Sequence, residues 1–136
     1  MGRLKRITYL LSEGKKTDTR VVCSKWLCKK ANRLFVFWCK TGETIVGVHI
    51  RKEDYKTAYG GIYYYDDNVF IHYMNQMQKL IPNCCFYISS NEPISERFSK
   101  QFCILDKPVD SAVGDLYALS QCDYIIGPPS TFNCWA

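Results

Sequence analysis

The sequence predicts an α/β fold in which a parallel sheet carries helices on both faces. From residue 44 onward, short β-branched or aromatic runs alternate with segments whose apolar residues recur every three or four positions. The resulting order is strand, helix, strand, helix, strand, helix, strand, and helices supply the crossovers that parallel strands need. The chain has 136 residues, 47% of them hydrophobic. This is enough for one core and too little for two complete domains.

The first half of the alternating region contains two predicted strands and the helix between them. Residues 44–50 form a β-branched run typical of a buried strand, and a polar loop with two consecutive glycines follows. The aspartates at 66–67 supply an N-terminal cap for a helix that ends before Pro82. The apolar positions of this helix are Val69, Tyr73, Met77 and Leu80. Residues 84–89 form the second strand.

The second half repeats the alternation with shorter elements. A helix is predicted at residues 95–100, and residues 102–105 form a third, weaker strand. Residues 111–121 have the apolar spacing of a helix, and residues 123–127 form a fourth strand that two prolines end. Ser130 then begins a last helix, of which the chain contains one turn.

Residues 1–43 differ from the rest in charge. Residues 1–40 hold 11 Lys and Arg but only two acidic residues, whereas the remaining 96 residues hold 7 basic and 11 acidic ones. The aromatic and apolar residues between 26 and 38 predict one or two amphipathic helices. We therefore interpret 1–43 as a basic helical segment, a remnant of an interdomain region, and 44–136 as the folded domain. Because the interleaved pattern of aromatic and basic residues typical of a nucleic-acid platform does not follow this segment, a solvated helix face or a contact with another domain is favoured over nucleic-acid binding.

Eight cysteines in a short chain raise the question of zinc or disulfides. They contain no Cys-x-x-Cys pair, and His49 and His72 lack a ligand spacing relative to them. We therefore expect no metal, and reduced thiols in a reducing compartment. The first residues do not have the pattern of a signal peptide, and no segment is long and apolar enough to cross a bilayer. The expected location is the cytoplasm, with peripheral association at the inner face of the membrane as the alternative.

Three segments fall at the strand ends where ligands gather in parallel sheets. In the first, His49 and Arg51 lie on one face of a strand because alternate residues point the same way. The Arg51 guanidinium suits a phosphate, and a surface ion pair with Glu53 or Asp54 explains it equally well.

The other two segments are helix starts. Asp115 lies early in a helix, where it either stabilises the N-terminus or accepts hydrogen bonds from the N1 and N2 edge of guanine. Ser130 and Thr131 follow Gly-Pro-Pro, which predicts either an anion site or a plain helix cap. The chain contains no Gly-x-Gly-x-x-Gly motif and no P-loop lysine, which argues against a dinucleotide or ATP fold.

Together the three segments resemble the donor-binding half of the inverting fucosyltransferases. They read Val-His-Ile-Arg-x-x-Asp-Tyr at 48–55, Asp-Leu-Tyr-Ala-Leu-Ser-x-Cys-Asp-Tyr at 115–124 and Ile-Ile-Gly-Pro-Pro-Ser-Thr-Phe-x-x-Trp-Ala at 125–136. The resemblance extends over about residues 33–136. It is closest to the bacterial α-1,2-fucosyltransferases of glycosyltransferase family 11, with the α-1,6- and protein O-fucosyltransferases more distant.

The resemblance implies a Rossmann-like, nucleotide-sugar-binding half of a GT-B-type enzyme. Its activity would be metal-independent, inverting fucosyl transfer from GDP-fucose to a galactose-containing oligosaccharide, as a galactoside α-1,2-fucosyltransferase of the hexosyltransferase class. Arg51 matches the residue that holds the β-phosphate, and His49 and Asp115 match residues that recognise or orient guanine. The implied donor-binding residues are His49, Arg51, Asp115, Ser130, Thr131 and Phe132. The hydroxyl pair among them matches the pyrophosphate site, and the phenylalanine packs beneath it.

For catalysis, Arg51 together with the N-terminus of a helix can serve as the electrophilic clamp on the departing GDP. Glu53 or Asp54 can act as the general base on the acceptor hydroxyl, with Asp54 preferred, and a salt bridge to Arg51 or Lys52 explains either carboxylate equally well. The sequence departs from the family pattern His-x-Arg-Arg-Gly-Asp-Tyr at Lys52 and Glu53. No Gly-Gly-Leu-Gly-Asn-Gln motif of an acceptor domain occurs, and the last helix is cut short, so the resemblance implies a fragment. The alternatives are a non-catalytic GDP-sugar or glycan-binding module and a fucosyltransferase of the α-1,6 or protein O-linked type.

Overall fold

The computed structural model describes residues 7–10, 43–107 and 111–135. Four parallel strands form one sheet in the order β1-β4-β2-β3. The strands are β1 (Ile7–Leu10), β2 (Thr44–Ile50), β3 (Cys84–Ser90) and β4 (Tyr124–Gly127). The helices are α1 (Asp67–Leu80), α2 (Glu96–Gln101), α3 (Ala112–Gln121) and α4 (Thr131–Trp135), and short 3₁₀ turns lie at Asp54–Lys56 and Ala58–Gly61. This is an α/β fold with a parallel sheet and flanking helices, an arrangement compatible with a Rossmann-like domain.

The helices cover both faces of the sheet. On one face, α1 and α2 pack against β2 and β3 around a core that includes Val48, Phe70, Met74, Phe86 and Phe98. On the other face, α3 packs through Ala118 and Leu119 against Ile45, Tyr87 and Ile125. Burial on both faces explains why β2 and β3 read as continuous apolar runs instead of alternating ones.

Side-chain caps start the helices where the sequence predicted. The Asp66 carboxylate accepts a hydrogen bond from the Val69 amide, and Ser111 Oγ accepts one from the Gly114 amide. Ser95 Oγ caps α2, and Ser130 Oγ accepts from the Asn133 amide in α4. Each cap satisfies a backbone donor that the first helical turn leaves unpaired.

The predicted strand at 102–105 is reduced to a single bridge between Ile104 and Phe86. Phe102 still ends α2, with its amide bonded to the Phe98 carbonyl, so little chain remains to pair before the polar segment that follows. Two backbone hydrogen bonds hold this bridge, from the Phe86 amide to the Cys103 carbonyl and from the Leu105 amide to the Phe86 carbonyl.

Strand β1 was not predicted. It pairs with β4 from Ile7 opposite Tyr124 to Leu10 opposite Gly127. The domain boundary proposed after residue 43 therefore lies between β1 and β2, which belong to the same sheet. The helices predicted between residues 26 and 38 lie outside the described residues. Among the residues that the structure does describe, no helix combines the length and apolar character of a membrane span.

The strand order creates a switch point between β2 and β4. The chain leaves β2 for β3 on one side, and later returns to place β4 on the other side of β2. Connections therefore diverge at the carboxyl ends of these two strands, which opens a crevice there.

Candidate functional site

A cavity of about 350 Å³ opens at this crevice. Its lining comes from the ends of β2 and β3, the first turn of α3 and the start of α4. The side chains that matter for its chemistry are His49, Arg51, Asn91, Lys107, Asp115 and Phe132. The fold thus brings together four of the predicted donor-binding residues, since His49, Arg51, Asp115 and Phe132 share one cavity.

His49 is buried and held in one orientation. Its Nδ1 lies 2.6 Å from the Asn133 side-chain oxygen, and its ring centroid lies 4.8 Å from that of Phe132. The Asn133 amide nitrogen donates to the Pro128 carbonyl at 2.6 Å, so the amide oxygen must accept from Nδ1–H. Glycine at 127 makes this contact possible, because a Cβ there would collide with the Asn133 amide nitrogen. Nδ1 of His49 therefore carries a proton, and Nε2 is an acceptor whenever the ring is neutral.

Burial lowers the pKa of His49 from 6.5 to about 4. The charge of Arg51 lowers it further, whereas the Asn133 hydrogen bond and Asp115 act in the opposite direction. The imidazole is thus uncharged at neutral pH.

This pKa predicts a pH dependence of stability. Because the folded pKa lies below the unfolded value, the unfolded chain takes up a proton first as the pH falls from 6.5 towards 4. We therefore expect the free energy of unfolding to fall by about 2 kcal/mol between pH 7 and pH 5 because of His49. Urea unfolding at both pH values measures this difference. His49→Gln should reduce the difference by that amount, and the control His72→Gln, at an exposed position, should retain it. An unchanged difference in His49→Gln would contradict the prediction.

Asp115 is a buried acceptor of three hydrogen bonds. Its Oδ1 accepts from the Tyr87 hydroxyl at 2.6 Å, and its Oδ2 accepts from Ser89 Oγ at 3.0 Å and Lys107 Nζ at 3.1 Å. Ser111, not Asp115, caps α3 through its side chain, so capping does not explain this carboxylate. Two carboxylate oxygens offer about four acceptor positions, which leaves little capacity for a ligand unless Lys107 moves.

Arg51 makes the ion pair that was one of its two predicted roles. Its Nε lies 3.0 and 3.1 Å from the two Asp54 oxygens, and Nη2 lies 2.6 Å from Oδ2. The guanidinium also lies over the Tyr55 ring, 4.8 Å from its centroid. The Arg51 hydrogen bonds lower the pKa of Asp54 below its usual value, which makes this carboxylate a weaker proton acceptor. Among the described residues, Nη1 makes no hydrogen bond.

Arg51 also borders a second cavity of about 610 Å³. The other residues that line it include Asp54, Tyr59, Tyr63, Ser130 and Thr131. Ser130 caps α4, which is the simpler of its two predicted roles. It also lines the same cavity as Arg51. The guanidinium therefore stands between a chamber with His49 and Asp115 and a chamber with the hydroxyl pair.

Sequence reasoning missed Lys107, Asn133 and the Tyr87–Ser89 pair. Ser89 lies opposite His49 in the register of β2 and β3, so pairing the predicted strand ends would have found it. No spacing rule connects Lys107 to Asp115 or Asn133 to His49, because these contacts depend on how α3 and α4 dock.

Comparisons with protein-family models, curated proteins and solved structures found no match for this chain. Among the described residues, no group of three or more His, Cys, Asp or Glu side chains is placed to hold a metal ion. The site is therefore interpreted from its own geometry and from the sequence motifs.

Proposed function

We propose that the crevice binds GDP-fucose and that the chain is the donor-binding half of a GT-B-type fucosyltransferase. The observation that carries the proposal is that Arg51 lines two cavities at the sheet switch point, one together with His49 and Asp115 and the other together with Ser130 and Thr131. A nucleotide sugar needs one chamber for its base and another for its sugar, with a cation at the diphosphate between them. The proposed reaction is inverting fucosyl transfer to a galactose-containing oligosaccharide, as in a galactoside α-1,2-fucosyltransferase.

In this proposal the first cavity holds guanine. The neutral His49 ring packs on Phe132 and supplies an acceptor, and Asp115 is the carboxylate that can pair with the N1 and N2 edge once Lys107 moves aside. The cavity volume, about 350 Å³, lies at the small end of the range for ligand sites. This size suits a base and part of its ribose.

Arg51 would hold the β-phosphate, with Ser130 and Thr131 beside it. The guanidinium is a planar fork suited to phosphate oxygens, and its Nη1 is the edge that does not face Asp54. During transfer, the same contact stabilises the negative charge that develops on the departing GDP.

Asp54 can act as a base on the acceptor hydroxyl only after donor binding weakens its pairing with Arg51. While the pair is intact, the low pKa of the carboxyl opposes proton uptake. A phosphate bound at Nη1 would share the guanidinium charge and weaken its effect on Asp54, so donor binding would prepare the base.

A second candidate is a non-catalytic GDP-sugar-binding module. Lys52, which replaces the second arginine of the family pattern, forms an ion pair with Asp67 at 2.5 Å and does not line the first cavity. Glu53 accepts a hydrogen bond from Asn91, which does line that cavity. The Lys52 charge is thus engaged away from the cavity, and Glu53 keeps a negative charge beside it, which would oppose the charge that develops on a departing diphosphate and favours binding without turnover.

Titration calorimetry of the chain with GDP-fucose, GDP and ADP tests the proposal. We expect both guanine nucleotides to bind more tightly than ADP, with equal affinity in EDTA and in Mg²⁺, because Arg51 supplies the positive charge. Equal binding of ADP would contradict the guanine assignment, and no binding of any of the three would contradict the nucleotide site. Fucose transfer to lactose by the chain joined to an acceptor lobe separates the enzyme from the module.

Lys107→Ala gives a sharper test of the base pocket. Because Lys107 occupies an oxygen of Asp115 that guanine would use, its removal is expected to strengthen GDP binding about fivefold, the value of a partly exposed ion pair. ADP binding should not change. Weaker GDP binding in the variant would show that Lys107 contacts the ligand itself, and the assignment of guanine to Asp115 would be wrong.

A further inference from the structure

Two cysteines lie side by side at the sheet edge furthest from β1. Cys85 belongs to β3 and Cys103 to the bridge segment, and their Sγ atoms are 2.7 Å apart. Phe86 pairs with Ile104, so the two cysteines occupy neighbouring positions just before that bridge. Adjacent strands are about 4.8 Å apart, within the Cα separation of roughly 4.4–6.8 Å that a disulfide requires.

The pair is accessible from one side. Cys85 is buried, whereas Cys103 is exposed, and both line a cavity of about 420 Å³ together with Glu43 and Cys84. This cavity lies at the amino end of β3, whereas the candidate site lies at its carboxyl end. The two cysteines are therefore separate from the proposed nucleotide site.

We propose that Cys85 and Cys103 form a dithiol site that small disulfides of the glutathione class oxidise reversibly to an intramolecular disulfide. The exposed Cys103 thiolate attacks one sulfur of the small disulfide and releases one small thiolate, which leaves a mixed disulfide on Cys103. Cys85 then loses its proton and attacks the Cys103 sulfur, which expels the second small thiol. The protein loses two protons and two electrons, which the small disulfide takes up to become two thiols.

The surroundings of the pair determine this order. Burial raises the pKa of the Cys85 thiol, and the hydrogen bonds to Cys103 and to the Glu43 carboxylate, 3.1 Å away, raise it further. Cys85 is thus the slower nucleophile, and it acts within the protein once Cys103 has reacted.

The disulfide would attach the bridge segment covalently to β3, to which few hydrogen bonds hold it. Two backbone hydrogen bonds connect the bridge segment to β3, and Lys107, four residues after Cys103, reaches Asp115 in the candidate site. Oxidation would therefore restrict the segment that positions Lys107.

Oxidised glutathione added to the native chain tests the proposal. Peptide mapping should find a Cys85–Cys103 disulfide that dithiothreitol removes, and the melting temperature should rise by about 5–10 °C. Cys84→Ala, the control at the neighbouring buried cysteine, should form the same disulfide.

Two variants separate the steps. Cys85→Ser should stop at a glutathione adduct on Cys103, and Cys103→Ser, changed at the exposed position, should form neither adduct nor disulfide at this edge. A native chain that stops at the Cys103 adduct, or a Cys103→Ser chain with the same rise in melting temperature, would overturn the proposal.

Discussion

Replacing Arg51 with alanine is expected to weaken GDP-fucose binding about 100-fold, as measured by calorimetry. The guanidinium is the cation shared by both cavities, and each hydrogen bond from a charged group to a ligand contributes roughly 1.5–3 kcal/mol. Loss of this contact should leave the diphosphate without its charged partner. Arg51→Lys keeps the charge without the fork, and we expect an intermediate loss of about tenfold.

Arg97→Ala is the matched control for this experiment. Arg97 is an exposed arginine of α2 whose Nη2 donates to the Asn68 side chain at 3.0 Å, and it does not line either cavity. This variant should bind GDP-fucose as the unchanged chain does. Equal affinities of the Arg51→Ala and Arg97→Ala chains would show that the proposed phosphate contact is wrong.

Replacing Asp115 with alanine is expected to reduce the free energy of unfolding by about 3–4 kcal/mol. The substitution removes the acceptor of hydrogen bonds from Tyr87, Ser89 and Lys107, two of which are buried side chains of β3. Loss of a buried hydrogen-bond partner costs roughly 1–3 kcal/mol, and two buried donors, Tyr87 and Ser89, lose this acceptor, whereas Lys107 is partly exposed and adds little. Urea unfolding at neutral pH measures the change.

Glu96→Ala provides the control, because Glu96 is an exposed carboxylate whose partner is Lys100, one helical turn away. Its removal should change stability by less than about 0.5 kcal/mol. The double variant Tyr87→Phe/Asp115→Ala should be less destabilised than the sum of the single variants, since both remove the same hydrogen bond. A loss below about 1 kcal/mol in Asp115→Ala would contradict the role assigned to this carboxylate.

Much of the α/β framework was predictable because its signals are local. The run at residues 44–50 became β2 with the predicted bounds, and Asp66 caps α1 as expected. The next two helices begin where they were predicted to begin, with Ser95 and Ser111 as their caps. The failure at residues 102–105 also has a local cause, since Phe102 is still engaged in ending α2. Strand β1 depends instead on pairing with β4, more than a hundred residues further along the chain, which no short pattern reveals.

The candidate site was only half predictable for a related reason. Residues at strand ends, such as His49 and Arg51, were identified because parallel strands deliver their ends to one edge of the sheet. The partners that fix their chemistry come from other elements, which pack against these strand ends. Asn133 sets the His49 tautomer from α4, and Lys107 approaches Asp115 from the segment before α3. Such contacts depend on packing, so periodicity and spacing do not report them.

The pairing of β1 with β4 has a practical consequence for expression of a shorter protein. A version that begins at residue 43 would leave one side of β4 with unpaired amide and carbonyl groups, in a strand that reads Tyr-Ile-Ile-Gly. The unpaired edge of an apolar strand of this kind can form backbone hydrogen bonds with a strand of another copy of the chain. Such a truncation should self-associate more than the full chain, because the Ile7–Leu10 segment covers this side of β4.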